Sequence, residues 1–200
     1  MSYPKNLQDL INEFAQFPSI GPKTAERFIF YLLKKSPAQL EKLSTSIKEL
    51  KKISLCPLCN NFAEKNICPL CGNQNRDHSI ICVVADPQDL MALEKTQDFK
   101  GVYHILGGLI STTQNTSPEN LRVNQLLQRI AKSAVKVKEI ILALNPDLEG
   151  ETTSLYLINL LKPLKIKISR LARGLPIGSD LEYADEITLS NAIKRREVIE

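Results

Sequence analysis

Four cysteines stand as Cys56-Pro-Leu-Cys59 and Cys68-Pro-Leu-Cys71, two near-identical pairs separated by eight residues. A chain spaced in this way folds around one ion. Each C-x-x-C turns two thiolates onto one point, and two facing knuckles close an all-thiolate tetrahedral shell with no open coordination position. The prolines fix φ just after the first sulfur of each pair, and Leu58 and Leu70 are placed to cover the site. The rival pairings, two disulfides or a redox C-x-x-C, fit the compartment and the spacing poorly. The expectation is one structural Zn²⁺ per chain, held by Cys56, Cys59, Cys68 and Cys71 within a finger over residues 54–76.

Two hundred residues with 43% hydrophobic content bury a sizeable core, and the length suits a mosaic of one medium domain with small modules. The start Met1-Ser2-Tyr3-Pro4 does not read as a signal peptide, and no apolar run approaches ~20 residues. A soluble, cytoplasmic protein is expected. The net charge of +4 is unevenly spread: residues 1–53 hold nine Lys/Arg against five Asp/Glu, and the remainder holds seventeen of each. A partner bearing phosphates should meet the amino-terminal end first, although Lys48, Lys51 and Lys52 suit a solvated helix face equally well. Cys82, inside the run Ile80-Ile81-Cys82-Val83-Val84, reads as a buried inert thiol.

Apolar residues at Leu7, Leu10, Ile11, Phe14 and Phe17 carry the period of an amphipathic helix over 6–17. Pro18 to Pro22 breaks it, a second helix is expected over 23–35, and Ser36-Pro37 with Gln39 announces a third. Beyond Arg76 strands alternate with helices. Strands are expected over 80–85, 102–106, 139–144 and 165–169. Helices are expected after Asp86-Pro87, from Ser117-Pro118 to about 133, over 151–161 and near 189–195. The fold class is therefore an α/β mosaic: a helical module over 1–53, the finger over 54–76, a mostly parallel sheet with flanking helices over 77–170, and a carboxyl-terminal segment over 171–200.

The segment Phe17-Pro-Ser-Ile-Gly-Pro-Lys-Thr-Ala25 joins two helices through a glycine turn. Free amides at the start of the second helix, with its dipole, make an anion site, and Lys23 and Arg27 one turn apart add charge on the same side. A phosphate fits there without any base being read. The segment resembles a helix-hairpin-helix element, with Ser19 where that pattern usually has glycine. A P-loop is excluded because Pro22 separates Gly21 from Lys23, the upstream glycine spacing is absent and a helix precedes the turn. An ordinary helix-turn-helix corner with a surface lysine is the bland alternative.

Asn145-Pro-Asp-Leu-Glu-Gly-Glu151 follows the apolar strand Ile140 to Leu144, at the end of a strand where open α/β sheets bind ligands. It resembles the Toprim motif, in which an Asp-x-Asp pair and a glutamate ending an earlier strand hold Mg²⁺ for phosphoryl transfer. Here Asn145 replaces the first aspartate and Ala85 stands where the glutamate is expected. Mg²⁺ requires hard anionic oxygens, so a non-catalytic domain is expected. Asp86, one residue along an extended strand, points to the opposite face. Asp147, Glu149 and Glu151 are then an acidic patch for a basic partner, or charges that favour the start of the following helix.

Helix-hairpin-helix, four-cysteine finger and Toprim-like sheet in this order resemble the RecR family of bacterial recombination mediators. Further runs are similar to that family: Asp89 to Glu94, Tyr103 to Gly108, Asn145 to Glu151, and Gly174-Leu-Pro-Ile-Gly178 with Leu181 to Asp185. Asn145 is usual in the family, whereas Ala85 departs from its glutamate. The resemblance implies a DNA-binding mediator of recombinational repair that acts with RecO, and often RecF, to load RecA onto single strands covered by single-strand binding protein. It implies a tetrameric ring around DNA, closed through both terminal regions, and a nucleoid-associated cytoplasmic location. It places Lys23 and Arg27 against DNA and Asp147, Glu149 and Glu151 against RecO. The alternative is a Mg²⁺-dependent primase or nuclease with a reduced Toprim site.

Overall fold

In the computed structural model residues 3–198 are described, and the chain divides into two units, Met1–Ile53 and Ser54–Glu200. The first unit is helical, with α1 (Lys5–Ala15), α2 (Pro22–Leu32) and α3 (Pro37–Glu49), the last followed by a 3₁₀ turn over Leu50–Lys52. The apolar period closes a small core in which Ile11 of α1 meets Ala25 and Ile29 of α2, flanked by Leu7, Phe14, Ile20 and Leu32. α1 stops two residues short of Phe17 because the Gln16 and Phe17 amides turn back onto Glu13 and Phe14 and open the turn. α3 begins as expected: Gln39 N donates to Ser36 Oγ at 3.3 Å, Ser36 N donates to Gln39 Oε1 at 3.1 Å, and Pro37 occupies the first helical position.

The second unit starts with a short antiparallel pair, β1 (Ser54–Leu55) and β2 (Phe62–Ala63), and a single helical turn, α4 (Pro69–Gly72). Four parallel strands follow, β3 (Asp77–Val84), β4 (Gly101–Ile105), β5 (Glu139–Leu142) and β6 (Lys167–Arg170), in the order β4-β3-β5-β6. The helices α5 (Pro87–Glu94), α6 (Val123–Lys132), α7 (Leu148–Leu161) and α8 (Glu186–Lys194) complete it. Ile81 and Val83 face one core with Leu126 of α6 and Leu157 and Leu161 of α7, while Cys82 and Val84 face another with Leu90 of α5. Burial on both faces is why β3 reads as an unbroken apolar run rather than an alternating one. Cys82 is buried, and loss of solvation pushes its thiol up to about 12.

Several expected bounds are revised, among them α2, which ends at Leu32, and α8, which starts at Glu186. The helix expected from Ser117 to about 133 is split into a 3₁₀ turn (Pro118–Asn120) and α6, with Leu121 extended between them at φ −89° and ψ 156°. Leu121 and Val123 are both drawn into the core, and Arg122 N donates to Leu106 O at 2.8 Å, so the sheet takes a backbone group that a continuous helix would have used itself. α7 starts at Leu148 rather than Glu151 because Asp147 caps it, its Oδ1 accepting from Gly150 N at 2.7 Å. Among the described residues no helix is long and apolar enough to cross a membrane.

Candidate nucleic-acid interface and metal centre

In the hairpin Ser19 has φ +64°, the left-handed region that glycine enters without cost. The turn is thus the one in which the helix-hairpin-helix pattern places glycine, and Ser19 adopts it regardless. Gly21 is the N-cap of α2 at φ −83° with Pro22 behind it, and no side chain caps the helix. A Cβ at Gly21 would meet nothing within 4 Å, so the ground in front of the first-turn amides is open. Lys23 and Arg27 lie four apart on one face of α2, both exposed, and among the described residues neither forms an ion pair. Ala25, wholly buried against α1, sets the rotation of α2 and hence the direction of that face. The only carboxylate between them, Glu26, accepts a bond from Tyr3 Oη. Backbone amides, the helix dipole and two exposed cations together are groups with which an anion can be held. Lys52, by contrast, pairs with Glu49 at 2.5 Å on an exposed face.

The sulfurs of Cys56, Cys59, Cys68 and Cys71 all lie within 4.8 Å of one another, and the four residues are buried. A tetrahedral shell with metal–sulfur bonds of about 2.3 Å has sulfur–sulfur edges of about 3.8 Å, so the donor set fits a metal ion. Cys59 and Cys68 sulfurs stand 3.4 Å apart, too far for a disulfide, and all five cysteines are free. The knuckle geometry is local: Asn60 turns left-handed at φ +61°, its amide returning to Cys56 O at 2.8 Å, while Gly72 N returns to Cys68 O at 3.0 Å. Left to themselves the thiols cannot all ionise. The bond from Cys59, helped by Arg129, pulls the Cys71 thiol down to about 6, whereas the same contact raises Cys59 and burial raises Cys68. A bound divalent cation removes this conflict by accepting four thiolates at once. His78 Nε2 lies 3.2 Å from Asn73 O and is not one of the donors that converge on the site.

The finger is joined to the sheet edge. Ile105 N donates to Cys59 O at 2.8 Å, Asn60 Nδ2 donates to Ile105 O at 3.2 Å, and Leu70 packs against both the cysteine cluster and the core over α5. Next to this junction His104 is wholly buried in β4, its Nε2–H donating to Arg122 O at 2.9 Å. Burial pushes its pKa down to about 4. The unfolded chain takes up that proton near ~6.5, so stability is complete above this value and is lost as pH falls towards the folded value. Urea unfolding at about pH 7 and pH 5 should differ by about 2 kcal/mol from this residue alone, and His104→Gln should flatten the dependence. A variant as pH-sensitive as the parent would remove His104 as the cause.

The ends of β3 and β5 turn their polar groups onto the chain itself. Ala85 is buried, its carbonyl accepting from Gly107 N at 2.9 Å and Gly108 N at 3.1 Å, and Asp86 is committed to the N-cap of α5, its amide donating to Asp89 Oδ2 at 3.2 Å. Gly150 is required by close approach, since a Cβ there would stand 2.0 Å from Asn145 O. The three carboxylates expected to form one acidic patch have three separate partners. Asp147, exposed, caps α7. Glu149 Oε1 accepts from Ser111 Oγ and, at 3.1 Å, from Thr113 Oγ1. Glu151 pairs with Arg173 and, at 3.0 Å, with Arg170, and the Arg173 guanidinium holds its carboxyl below the usual range. The partners of Glu149 and Glu151, like Arg129, lie 19 to 58 residues from the groups they meet, and no local pattern announces them, whereas Asp147 is bonded within its own turn. Among the described residues only the cysteines bring three or more His, Cys, Asp or Glu donors close enough to share an ion.

Comparison with known proteins covers nearly the whole chain. Residues 7–51 match the RecR helix-hairpin-helix model, residues 79–172 the Toprim domain model, and residues 174–197 the RecR C-terminal model. The recombination protein RecR of Bifidobacterium animalis subsp. lactis is 49% identical, with 99% of each chain covered. That of Moorella thermoacetica is 48% identical over 100% of both chains, and that of Acidothermus cellulolyticus 46% identical over 97% of both.

Proposed function

Because the chain belongs to the RecR family of recombination proteins, we propose that it is a DNA-binding mediator of recombinational repair with no catalytic centre of its own. The observation that carries this reading is the uncapped start of α2, with its open first turn and the exposed Lys23 and Arg27, which form no ion pair among the described residues. DNA of either strandedness is held through its phosphates, without sequence preference. RecO, with RecF, is the protein partner, and the outcome is RecA loaded onto single strands that were covered by single-strand binding protein. The chains close into a tetrameric ring in the nucleoid-associated cytoplasm. Exposed apolar side chains at Ile177, Tyr183, Ile187 and Ile193 favour residues 171–200 as an oligomer contact.

The four-cysteine site holds Zn²⁺, whose preference for a closed tetrahedral thiolate shell suits this donor set. On the acidic turn, Asp147 is the exposed carboxylate and the first to meet a basic surface of RecO. Glu149 and Glu151 would reach that partner only by exchanging the bonds they make within the chain. Residues 54–76 act as the zinc module and 77–170 as the Toprim domain, which lacks catalysis because a methyl group at Ala85 and an amide at Asn145 replace two of the oxygens Mg²⁺ requires.

Incubating the pure protein with a labelled gapped duplex tests this directly. Binding is expected with or without Mg²⁺, and neither cleavage nor nucleotide incorporation with Mg²⁺ or Mn²⁺. Turnover that Asp147→Ala abolishes would establish the enzyme instead, and no DNA binding at low salt would leave only a zinc-containing scaffold.

A further inference from the structure

Arg129 of α6 reaches the cysteine quartet across 58 residues of chain. Val123, Leu126, Leu127 and Ile130 line the apolar face of α6 on the sheet, and this seating leaves Arg129 on the flank that meets the cysteines. Its Nη1 donates to Tyr103 O of β4 at 2.6 Å, and its Nη2 lies 3.8 Å from Cys71 Sγ. The residue is half-buried, and among the described residues it has no ion pair with any carboxylate. A guanidinium is always charged. Half-withdrawn from water against a carbonyl, that charge is only partly compensated, and a thiolate compensates it further through a charge-assisted bond that a neutral thiol does not offer.

We propose that Arg129 is the counter-ion and positioning residue of the four-cysteine metal centre, fixing Cys71 and neutralising part of the charge that four thiolates leave on a divalent ion. The proposal rests on the reading that the quartet holds a metal. A divalent cation with four thiolates retains two negative charges, and Arg129 offsets one of them. The N–H···S contact also draws electron density from one sulfur, and the carbonyl of Tyr103 fixes the plane of the donor. The fork is needed for both tasks at once, which a lysine cannot reproduce. Because Arg129 stands on α6 and its second acceptor on β4, the bond ties the metal to two elements of the parallel-sheet core.

The test uses full-length protein, loaded with Zn²⁺ for release to a chromophoric chelator and with Co²⁺ for absorption. Arg129→Met should release metal roughly 10–100-fold faster, and the sulfur-to-cobalt charge-transfer band should move to lower energy as Cys71 loses its donor. Arg129→Lys should fall between parent and Arg129→Met, and Gln128→Ala, exposed beside it on α6, should match the parent. A folded Arg129→Met with parental release and an unmoved band overturns the role of Arg129, even if its melting temperature falls, since lost packing alone explains that. Should Arg129→Met fail to fold, Arg129→Lys decides by the same two readings. Parent protein that binds neither Zn²⁺ nor Co²⁺ refutes the metal reading itself, an outcome distinct from bound metal indifferent to Arg129.

Discussion

Lys23→Ala combined with Arg27→Ala is expected to weaken DNA binding roughly 10–100-fold near ~100 mM salt, and to reduce the slope of log affinity against log salt by about 1.4 to 1.8. The slope follows from two lost phosphate contacts, at about 0.7 each on a single strand and about 0.9 each on a duplex. The fold should be untouched, since both side chains are exposed, neither is ion-paired among the described residues and alanine favours a helix. Lys51→Ala with Lys52→Ala removes the same net charge from the same unit and separates a built site from general basicity. These lysines follow α3 on a solvated 3₁₀ turn with no converging amides, so the effect should be several-fold smaller. Equal losses from the two double variants would show that only bulk charge attracts DNA, and an unchanged affinity and slope in the first would place the DNA face elsewhere.

Cys56→Ser should abolish stoichiometric metal binding, which in the parent is expected at about one zinc per chain, and should remove most of the soluble protein. Structural zinc contributes about 10–16 kcal/mol to small finger peptides, comparable to or above the whole stability of an ordinary domain at about 5–15 kcal/mol. The finger has little else to hold it: β1 and β2 span two residues each, and its buried core is Ala63 and the cysteines themselves. Loss of the ion should reach the sheet, because Cys59 O and the Asn60 amide are bonded to Ile105 at the end of β4. Hydrogen exchange should therefore quicken at Ile105 as well as in the finger. Metal-free protein that keeps its melting temperature would refute the structural role of the site.

The clearest parts of this fold in the sequence were those whose cause lies within a few residues. The Ser36–Gln39 capping box and the cysteine knuckles each depend on neighbours three or four positions apart, and both stand as read. The apolar run of β3 announced a strand buried on both faces, since a buried parallel strand has no polar face to alternate with. The split of the Ser117 helix was not legible, because the competing group, Leu106 O, is 16 residues away. The same holds for Glu149 and Glu151 of the acidic turn, whose partners lie 19 to 38 residues away. Three carboxylates in five residues looked like one patch, yet Ser111 and Thr113, Arg170 and Arg173, and the amide of Gly150 divide them.

The sequence by itself determined the thiolate donor set, the basic turn and the neutral residues Ala85 and Asn145 at two strand ends, because residue identity and short spacing decide which atoms can meet an ion or a phosphate. Only the tertiary structure decided which partners the remaining charges take. It put Ser19 into the left-handed conformation of the hairpin turn, buried His104 uncharged and brought Arg129 to Cys71 across 58 residues of chain. Those outcomes depend on strand order and on which face of a helix is buried, and such long-range contacts are created by packing rather than by local conformational preference.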